Sequence, residues 1–485
     1  MATLAICRGA VLNELMLQDN EEHPLNNVTM SSRSNEKVTD KNAYRVKNNN
    51  YRWKKELYAV EAPFIMKSQA ERITREQLIV DSDNMKETSA QKKRKKKSCK
   101  ASQLTEKECL IKSLIEQTLP SLLLKARELN YIREIPDVSK RFGINEMART
   151  AAMTEACGNL FQTLCQEFDE RGRVCLEDVI LTDESKKVDA SDIIGKCVQN
   201  RQDKTLLVDI GADNFIIPPQ SSFLTSSFQH FVSGGYKKIL DCYDLVVIDP
   251  PWINKSVKRK KSYLMVAEED LKDIPLGDLT QHGSLVCVWV TNNQRLIDFV
   301  KDELFTAWSV VWLADWVWLK ITSTGEPVYN INSAHKKPYE QLIIGQVQQS
   351  FTQSTPSENQ TARYDLTETH SIVPAETTFK LLPEVIPTTN EGENLTLIDS
   401  AQPDTTRLEN STIIEKDIKI PQQFLLVSVP SCLHSKKPPL SAVLKPYLPA
   451  KPKCLELFAR NLTPRWCSWG NEPLKHQHID YYEFI

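Results

Sequence analysis

Hydrophobic residues beyond about position 204 follow two alternating spacings. Short apolar runs of strand length are separated by stretches in which residues such as Leu296, Val300 and Leu304 recur at helical spacing. Strands that alternate with helices predict an α/β fold built on a doubly wound sheet. The predicted strands are residues 205–210, 243–249, 284–290, 309–321, 341–347, 424–429 and 454–458.

The region before this domain has a different pattern. Leu110, Leu114 and Ile115 form an apolar stripe that ends near Pro120, and a second stripe runs over residues 160–168. Residues 104–203 are therefore predicted to form a small helical domain, and residues 204–485 the α/β domain. Core packing is the favoured role of the helical domain, with RNA or partner binding left open.

Two segments are too polar to bury a core of their own. Residues 1–103 are expected to be mostly disordered, apart from an aromatic and basic stretch at 51–58 that docks either on the body of the protein or on a partner. Residues 349–419, rich in Thr, Ser, Asn and Gln, are expected to be a disordered or loosely ordered polar insertion between two strands. A tolerated surface insertion is favoured over a gate for substrate.

The formal net charge of −2 gives no sign of a nucleic-acid partner, but one segment is strongly basic. Residues 92–97 are five lysines and one arginine. This run predicts a nuclear localisation signal, although a nucleic-acid contact or a solvated linker has the same composition. We therefore expect a nuclear protein and leave a cytoplasmic location open.

Composition also excludes several classes of site. The chain has twelve cysteines but no Cys-x-x-Cys or Cys/His spacing of a zinc site, so we expect no metal and reduced thiols. No apolar run has the length of a membrane span, so no membrane partner is expected. The 14 glycines include no GxGxxG or GxxxxGK[ST] pattern, which speaks against a dinucleotide or P-loop nucleotide site.

Candidate catalytic chemistry lies at the end of the strand predicted at 243–249, where the chain continues as Asp249, Pro250, Pro251 and Trp252. A carboxylate and a carbonyl held rigidly by prolines can each accept one N–H of an exocyclic amino group, which turns the nitrogen lone pair towards an electrophilic methyl group. An aromatic side chain can stack on a flipped-out base. A Pro-Pro turn with a packing Trp is the alternative, but the combination favours methyl transfer to a base amino group.

Basic side chains next to this tetrapeptide are candidates for binding nucleic-acid phosphates, with a solvated loop as the alternative. They are Lys255, Lys258, Arg259, Lys260 and Lys261. Glu340 is a candidate to bond a base or ribose, or simply to pair with a lysine. It belongs to a second candidate substrate surface that comprises His335, Lys336, Lys337, Tyr339 and Glu340.

Five motifs resemble the eukaryotic N6-adenine methyltransferase family that includes the catalytic subunit of the mRNA adenosine methyltransferase. They are residues 249–252, 208–210, 435–438, 455–460 and 469–472, and the resemblance covers residues 204–348 and 420–482. It implies a Rossmann-like methyltransferase fold, S-adenosylmethionine as methyl donor and adenine N6 in nucleic acid as acceptor. The cofactor-binding residues that it implies are Asp209, Ile210, Lys437, Arg460, Asn471 and Glu472.

The resemblance further implies N6-methylation of 2′-O-methyladenosine in small nuclear RNA, with DNA adenine as a second substrate. The chain has no zinc-finger spacing of the kind found in the family's mRNA enzymes, so RNA must be gripped by other residues. Whether the enzyme works as a single chain is left open. The alternative function is a catalytically inactive scaffold that binds nucleic acid or a partner enzyme, and the intact Asp249 and Trp252 weigh against it.

Overall fold

A computed structural model describes most of the predicted α/β domain and parts of the chain before it. The described residues are 51–64, 104–128, 131–133, 145, 148–150, 160–171, 177–182, 187–252, 266–333, 336–348, 419–433 and 436–484, with the backbone of residues 3–7. The basic run at 92–97 and nearly all of the predicted insertion at 349–419 lie outside these ranges.

The described strands form one large sheet and two small ones. Their bounds are β1 (Thr3–Cys7), β2 (Tyr51–Trp53), β3 (Val179–Leu181), β4 (Cys197–Asn200), β5 (Leu206–Ile210), β6 (Asp213–Ile217), β7 (Ser222–Thr225), β8 (Tyr243–Ile248), β9 (Thr280–Val290), β10 (Val310–Lys320), β11 (Tyr339–Val347), β12 (Gln423–Ser428), β13 (Cys454–Leu457), β14 (Trp466–Gly470) and β15 (Tyr482–Phe484).

The central sheet has eleven strands within the described residues, in the order β1-β12-β10-β11-β9-β8-β13-β14-β7-β4-β3. Most neighbouring pairs are parallel, including the run from β9 through β8, β13 and β14 to β7. Parallel pairing brings the carboxyl ends of these strands to one edge of the sheet, where ligands bind in folds of this type. Ile248 lies beside Leu457, Leu457 beside Trp469, and Gly470 beside Thr225.

Helices cover both faces of this sheet, which confirms the doubly wound α/β prediction. The described α-helices are α1 (Glu106–Glu128), α2 (Leu160–Arg171), α3 (Phe228–Val232), α4 (Leu276–Leu279), α5 (Gln294–Asp298), which a π-helical turn at Phe299–Leu304 joins to α6 (Phe305–Ala307), and α7 (Ser441–Leu444). Val286 and Val288 of β9 face the core formed with α5 and α6, while Cys287 and Trp289 face the core formed with α7. This alternation explains why central strands buried on both faces are apolar throughout.

The prediction of a separate helical region at 104–203 differs from the structure in two respects. Ile115 and Leu119 of α1 pack against Leu319 and Leu425 of the sheet, because the helix buries its apolar stripe on one face of β10 and β12. The same region also supplies β3 and β4, two short edge strands of the central sheet. Runs of three or four residues are too short to show a strand period in sequence.

The amino-terminal region contributes two described pieces, although residues 1–103 were expected to be mostly disordered. The backbone of Thr3–Cys7 forms β1, which pairs in parallel with β12 at the edge of the sheet. Residues 51–64 dock on the body of the protein, where β2 pairs with β15. Among the described residues, no helix is long and apolar enough to cross a membrane.

Candidate active site

Asp249 follows β8 directly and lies at the carboxyl edge of the sheet. The residue is buried, at 9 % exposure, and its backbone N–H donates to the Leu457 carbonyl at 3.3 Å. The following turn is tight, because the Trp252 N–H donates to the Pro250 carbonyl at 2.8 Å. A carbonyl oxygen has two lone pairs, so that of Pro250 keeps one for a further donor.

Lys437 is the principal partner of Asp249. Its ammonium donates to both carboxylate oxygens, at 2.9 and 3.0 Å. Burial lowers the pKa of Lys437, but the negative charges of Asp249 and Glu340 outweigh burial and raise the pKa overall. The lysine is therefore a fixed cation that touches the candidate catalytic carboxylate.

Glu340 extends this pair into a network. Its carboxylate lies 3.3 Å from the Lys437 ammonium and also binds Lys320, the last residue of β10. Burial raises the pKa of Glu340, but Lys437 and Lys320 outweigh burial and lower the pKa to about 2. Of the two roles considered from sequence, pairing with lysine is the one that the structure shows.

Two loops at the same edge carry the next ion pairs. Arg460, after β13, approaches Asp249 at 3.7 Å and donates to Glu472, after β14, at 3.2 Å. Glu472 also accepts from Lys475 at 2.9 Å and from Gln162 of α2 at 3.0 Å. The edge therefore carries a chain of alternating charges that begins at Lys320 and ends at Lys475.

Gly470 allows these two loops to meet. A Cβ at this position would lie 2.7 Å from the Ala459 carbonyl oxygen and 3.1 Å from its nitrogen, so no side chain fits between the two backbones. The Ala459 N–H donates to the Trp469 carbonyl at 2.8 Å across this contact. The close approach sets Arg460 against Glu472.

A cavity of about 90 Å³ opens beside these charged residues, against one face of β8, β13 and β14. Lys436, Lys437 and Glu456 line it together with aromatic residues, among them Trp53 and Trp289. Burial, with the nearby charge of Asp249, raises the pKa of Glu456 to about 7. Burial lowers the pKa of Lys436 to about 7, although Glu456 acts in the opposite direction.

Trp252 lies largely in the core. It is 7 % exposed, packs within the main apolar cluster, and its indole N–H donates to the Trp289 carbonyl at 2.8 Å. Its stacking role stays a prediction, and its observed contact fixes the turn after Asp249. Pro251, which stands between Pro250 and Trp252 in the chain, is half-buried.

Asp209 and Ile210 are not at the carboxyl edge of the central sheet, contrary to the expectation from sequence. They end β5, which pairs with β6 in a separate two-stranded sheet, so that Asp209 is exposed and Ile210 packs in a different core cluster. The strand that reaches the edge in this part of the chain is β7, which sequence reasoning missed because it has four residues. Ser226 after β7 accepts from the Trp469 indole N–H at 2.9 Å and so adjoins the loop after β14.

The second candidate substrate surface is divided between two sides of the protein. Lys337 binds Glu108 of α1 at 3.0 Å and Tyr339 is buried against α1, whereas Glu340 points to Lys437. Neighbouring side chains of a strand face opposite ways, so Tyr339 and Glu340 cannot share a surface.

Lys336 is exposed, with its ammonium 5.4 Å from the Tyr329 ring centre. His335 and the basic residues predicted to bind phosphate, Lys255, Lys258, Arg259, Lys260 and Lys261, lie outside the described residues.

The edge carries groups of the kind that S-adenosylmethionine requires. Lys437 and Arg460 are cations suited to a carboxylate. Glu472, Glu456 and Asn471 offer oxygens that suit hydroxyl and amino donors. No group of three or more His, Cys, Asp or Glu side chains among the described residues has the arrangement of a metal site.

Comparison with known proteins gives the family. The chain matches the MT-A70 family over residues 243–391 and 393–472. It is 30 % identical over 459 residues to the N(6)-adenine-specific methyltransferase METTL4 of Mus musculus, a match that covers 91 % of this chain and 83 % of the mouse protein. It is 36 % identical over 303 residues to METTL4 of Homo sapiens, covering 62 % of this chain and 52 % of the human protein.

A third relative is the N6-methyladenosine RNA methyltransferase MTA1 of Pyricularia oryzae, 27 % identical over 282 residues, which are 56 % of this chain and 58 % of that protein. The chain thus spans about half the length of the human relative. A doubly wound sheet with an acid, a lysine and a Pro-Pro turn at its carboxyl edge defines the class as a Rossmann-like methyltransferase fold. Within that class the chain belongs to the MT-A70 family, which confirms the family resemblance predicted from sequence.

Proposed function

We propose that the chain is a nucleic-acid adenine-N6 methyltransferase that uses S-adenosylmethionine. The observation that supports this most directly is the geometry at Asp249. Its carboxylate is buried, is held by Lys437, and is followed at once by the turn that presents the Pro250 carbonyl. The names of the relatives, which specify N6-adenine or N6-methyladenosine, agree with this chemistry.

The protein's contribution is to orient the amino group. One N–H donates to Asp249 and the other to Pro250, which directs the nitrogen lone pair out of the base plane. Because Lys437 already donates to both oxygens of Asp249, the incoming amino group shares an oxygen with it, which the several lone pairs of a carboxylate allow. Positioning of this kind accounts for a large part of catalysis in a two-substrate reaction.

The bound donor supplies an electrophilic methyl group. The amino nitrogen would take this methyl group with the donor's sulfur as leaving group, and Asp249 would carry the proton that the amino group loses to solvent. Lys437 and Arg460 would hold the donor's carboxylate, and Glu472, Glu456 and Asn471 its hydroxyl and amino groups. Asp209 and Ile210 have no part in this assignment, because they lie on the separate sheet.

The finer proposal for substrate is 2′-O-methyladenosine in small nuclear RNA, methylated in the nucleus. It depends on the family resemblance and on the basic run at 92–97. DNA adenine is the competing substrate, because RNA and DNA present the same base edge and differ at the 2′ position. Phosphate binding is assigned to Lys255, Lys258, Arg259, Lys260 and Lys261, which directly follow the Asp249 turn in sequence.

The test is methyl transfer from labelled S-adenosylmethionine to matched oligonucleotides, with the purified chain alone. The target position carries adenosine, 2′-O-methyladenosine or deoxyadenosine, and Asp249→Ala is the control. Transfer that favours the 2′-O-methylated RNA and disappears in the variant supports the proposal, whereas preference for deoxyadenosine moves the substrate to DNA. Binding of RNA without transfer to any oligonucleotide would favour the inactive scaffold.

A further inference from the structure

An amino-terminal strap, residues 51–64, crosses the elements that carry the active site. It lies outside the part of the chain that matches the family. At one end β2 pairs with the carboxyl-terminal β15. Further along, the Leu57 carbonyl accepts from the Cys432 N–H at 2.9 Å, and the Val60 carbonyl accepts from the Ser323 N–H at 2.7 Å. The strap thus touches both the segment before Lys437 and the loop after β10.

Trp53 makes the contact closest to the chemistry. It is 7 % exposed, and the Lys436 ammonium lies 3.8 Å from the centre of its ring. This is the shortest ammonium-to-ring distance among the described residues. The electron distribution of an indole face attracts a cation at this distance, so the Trp53 ring favours the charged form of Lys436 against the effect of burial on its pKa.

Lys436 and Lys437 are consecutive but bind on different sides. The Lys436 ammonium rests on Trp53, whereas the Lys437 ammonium reaches Asp249 and Glu340. The backbone between them is therefore anchored from both directions, and its position sets where the Lys437 ammonium lies. Glu456 lines the same cavity and attracts Lys436 electrostatically, so it is an alternative partner for Lys436 once the Trp53 ring is removed.

We propose that Trp53 is a positioning residue for methyl transfer: by stacking on Lys436, it fixes the backbone that places Lys437 against Asp249. The inference rests on the proposed methyltransferase function and adds to it a residue of the strap. The amino-terminal strap thereby contributes to the geometry of the active site. Trp53 itself need not touch either substrate.

The test compares Trp53→Ala, Trp53→Phe and Lys436→Met in the full chain. We expect Trp53→Ala and Lys436→Met each to lower kcat by about 10- to 100-fold, since a small misplacement of a reacting group has effects of this size. Trp53→Phe keeps a ring for the lysine and should stay within about threefold of the parent. Binding of the oligonucleotide should be unchanged in all three, because Lys437 acts through Asp249 and the phosphates are assigned to other residues.

A double variant separates positioning from general damage. If Trp53 acts through Lys436, Trp53→Ala with Lys436→Met should be no slower than either single variant, because both remove the same link. Losses that multiply in the double variant would overturn the proposal. The proposal would also be overturned if Trp53→Ala lowered the unfolding temperature but left kcat unchanged in assays run well below that temperature.

Trp312→Ala is the matched control. Trp312 also holds a lysine over its ring, Lys301 at 4.2 Å, but it lies at the other end of β10, far along the strand from Lys320. We expect its kcat to be within about twofold of the parent, as for substitutions distant from an active site. Equal losses from Trp53→Ala and Trp312→Ala would contradict a specific role for Trp53.

A crystal structure of Trp53→Ala gives a readout that does not depend on activity. We expect the Lys437 ammonium to move beyond hydrogen-bonding distance of Asp249. A distance still near 2.9 Å would refute the positioning role, even if the parent chain proved inactive on every oligonucleotide. Lack of transfer by the parent, in contrast, would count against the proposed function alone.

Discussion

Glu340→Gln should destabilise the protein in a strongly pH-dependent way. The charges of Lys437 and Lys320 lower the pKa of Glu340 from its ordinary 4.5 to about 2, against the effect of burial. A shift of that size corresponds to a contribution of about 3 kcal/mol to the free energy of unfolding. The side chain is 26 % exposed, so solvent screening reduces this contribution only in part.

The sign follows from the direction of the shift. A carboxyl with a lowered pKa in the folded state contributes its full stability above pH 4.5, and loses it as the pH falls towards 2. The difference in unfolding free energy between parent and Glu340→Gln should therefore be greatest at pH 7. By pH 3 more than half of its pH-dependent part should have disappeared.

Urea unfolding of both proteins at pH 7, 5, 4 and 3 measures this difference directly, provided that the slopes with urea agree. Glu303→Gln is the control, because Glu303 binds Lys272 at 2.7 Å but is 52 % exposed. Its unfolding midpoint should match that of the parent within error at each pH. A Glu340→Gln effect that is constant with pH, or no larger than that of the control, would refute the assignment of Glu340 to a strong buried network.

Three further predictions concern neighbouring features. Asp209→Asn should leave donor affinity, measured by calorimetry, within about twofold of the parent, since Asp209 is exposed on the separate sheet. Gly470→Ala should lower the unfolding free energy by about 1–3 kcal/mol in urea titrations, because its Cβ would lie 2.7 Å from the Ala459 carbonyl oxygen. Neutralising four basic residues should weaken oligonucleotide binding and reduce the slope of log affinity against log salt by up to about four, whereas an unchanged slope would argue against phosphate contacts. These four are Lys258, Arg259, Lys260 and Lys261.

The position of Asp249 could be predicted because it depends on local sequence. An apolar run long enough for a buried strand ends directly at the acid, and ligands bind at the carboxyl ends of such strands. The structure agrees, with β8 ending at Ile248. The same reasoning failed for Asp209, because an apolar run that contains an acid near its end looks the same whether the strand joins the central sheet or a separate hairpin.

The partners of the charged residues could not be predicted in this way. Lys437 and Asp249 are 188 residues apart in the chain, and Lys320 meets Glu340 only because β10 and β11 are antiparallel neighbours. Strand alternation could have separated Tyr339 from Glu340, since it sends consecutive side chains to opposite faces. It could not have shown that Glu340 faces a lysine.

The sequence by itself determined the alternation of strands and helices, the candidate catalytic tetrapeptide and the family, because hydrophobic spacing and motif chemistry act over short distances along the chain. Only the tertiary structure decided which strands reach the carboxyl edge, which cation holds Asp249, and that an amino-terminal Trp53 stacks on Lys436. These features depend on strand order and on contacts between distant segments. Because burial removes these groups from water, the pKa of each depends on the charged neighbours that the fold supplies.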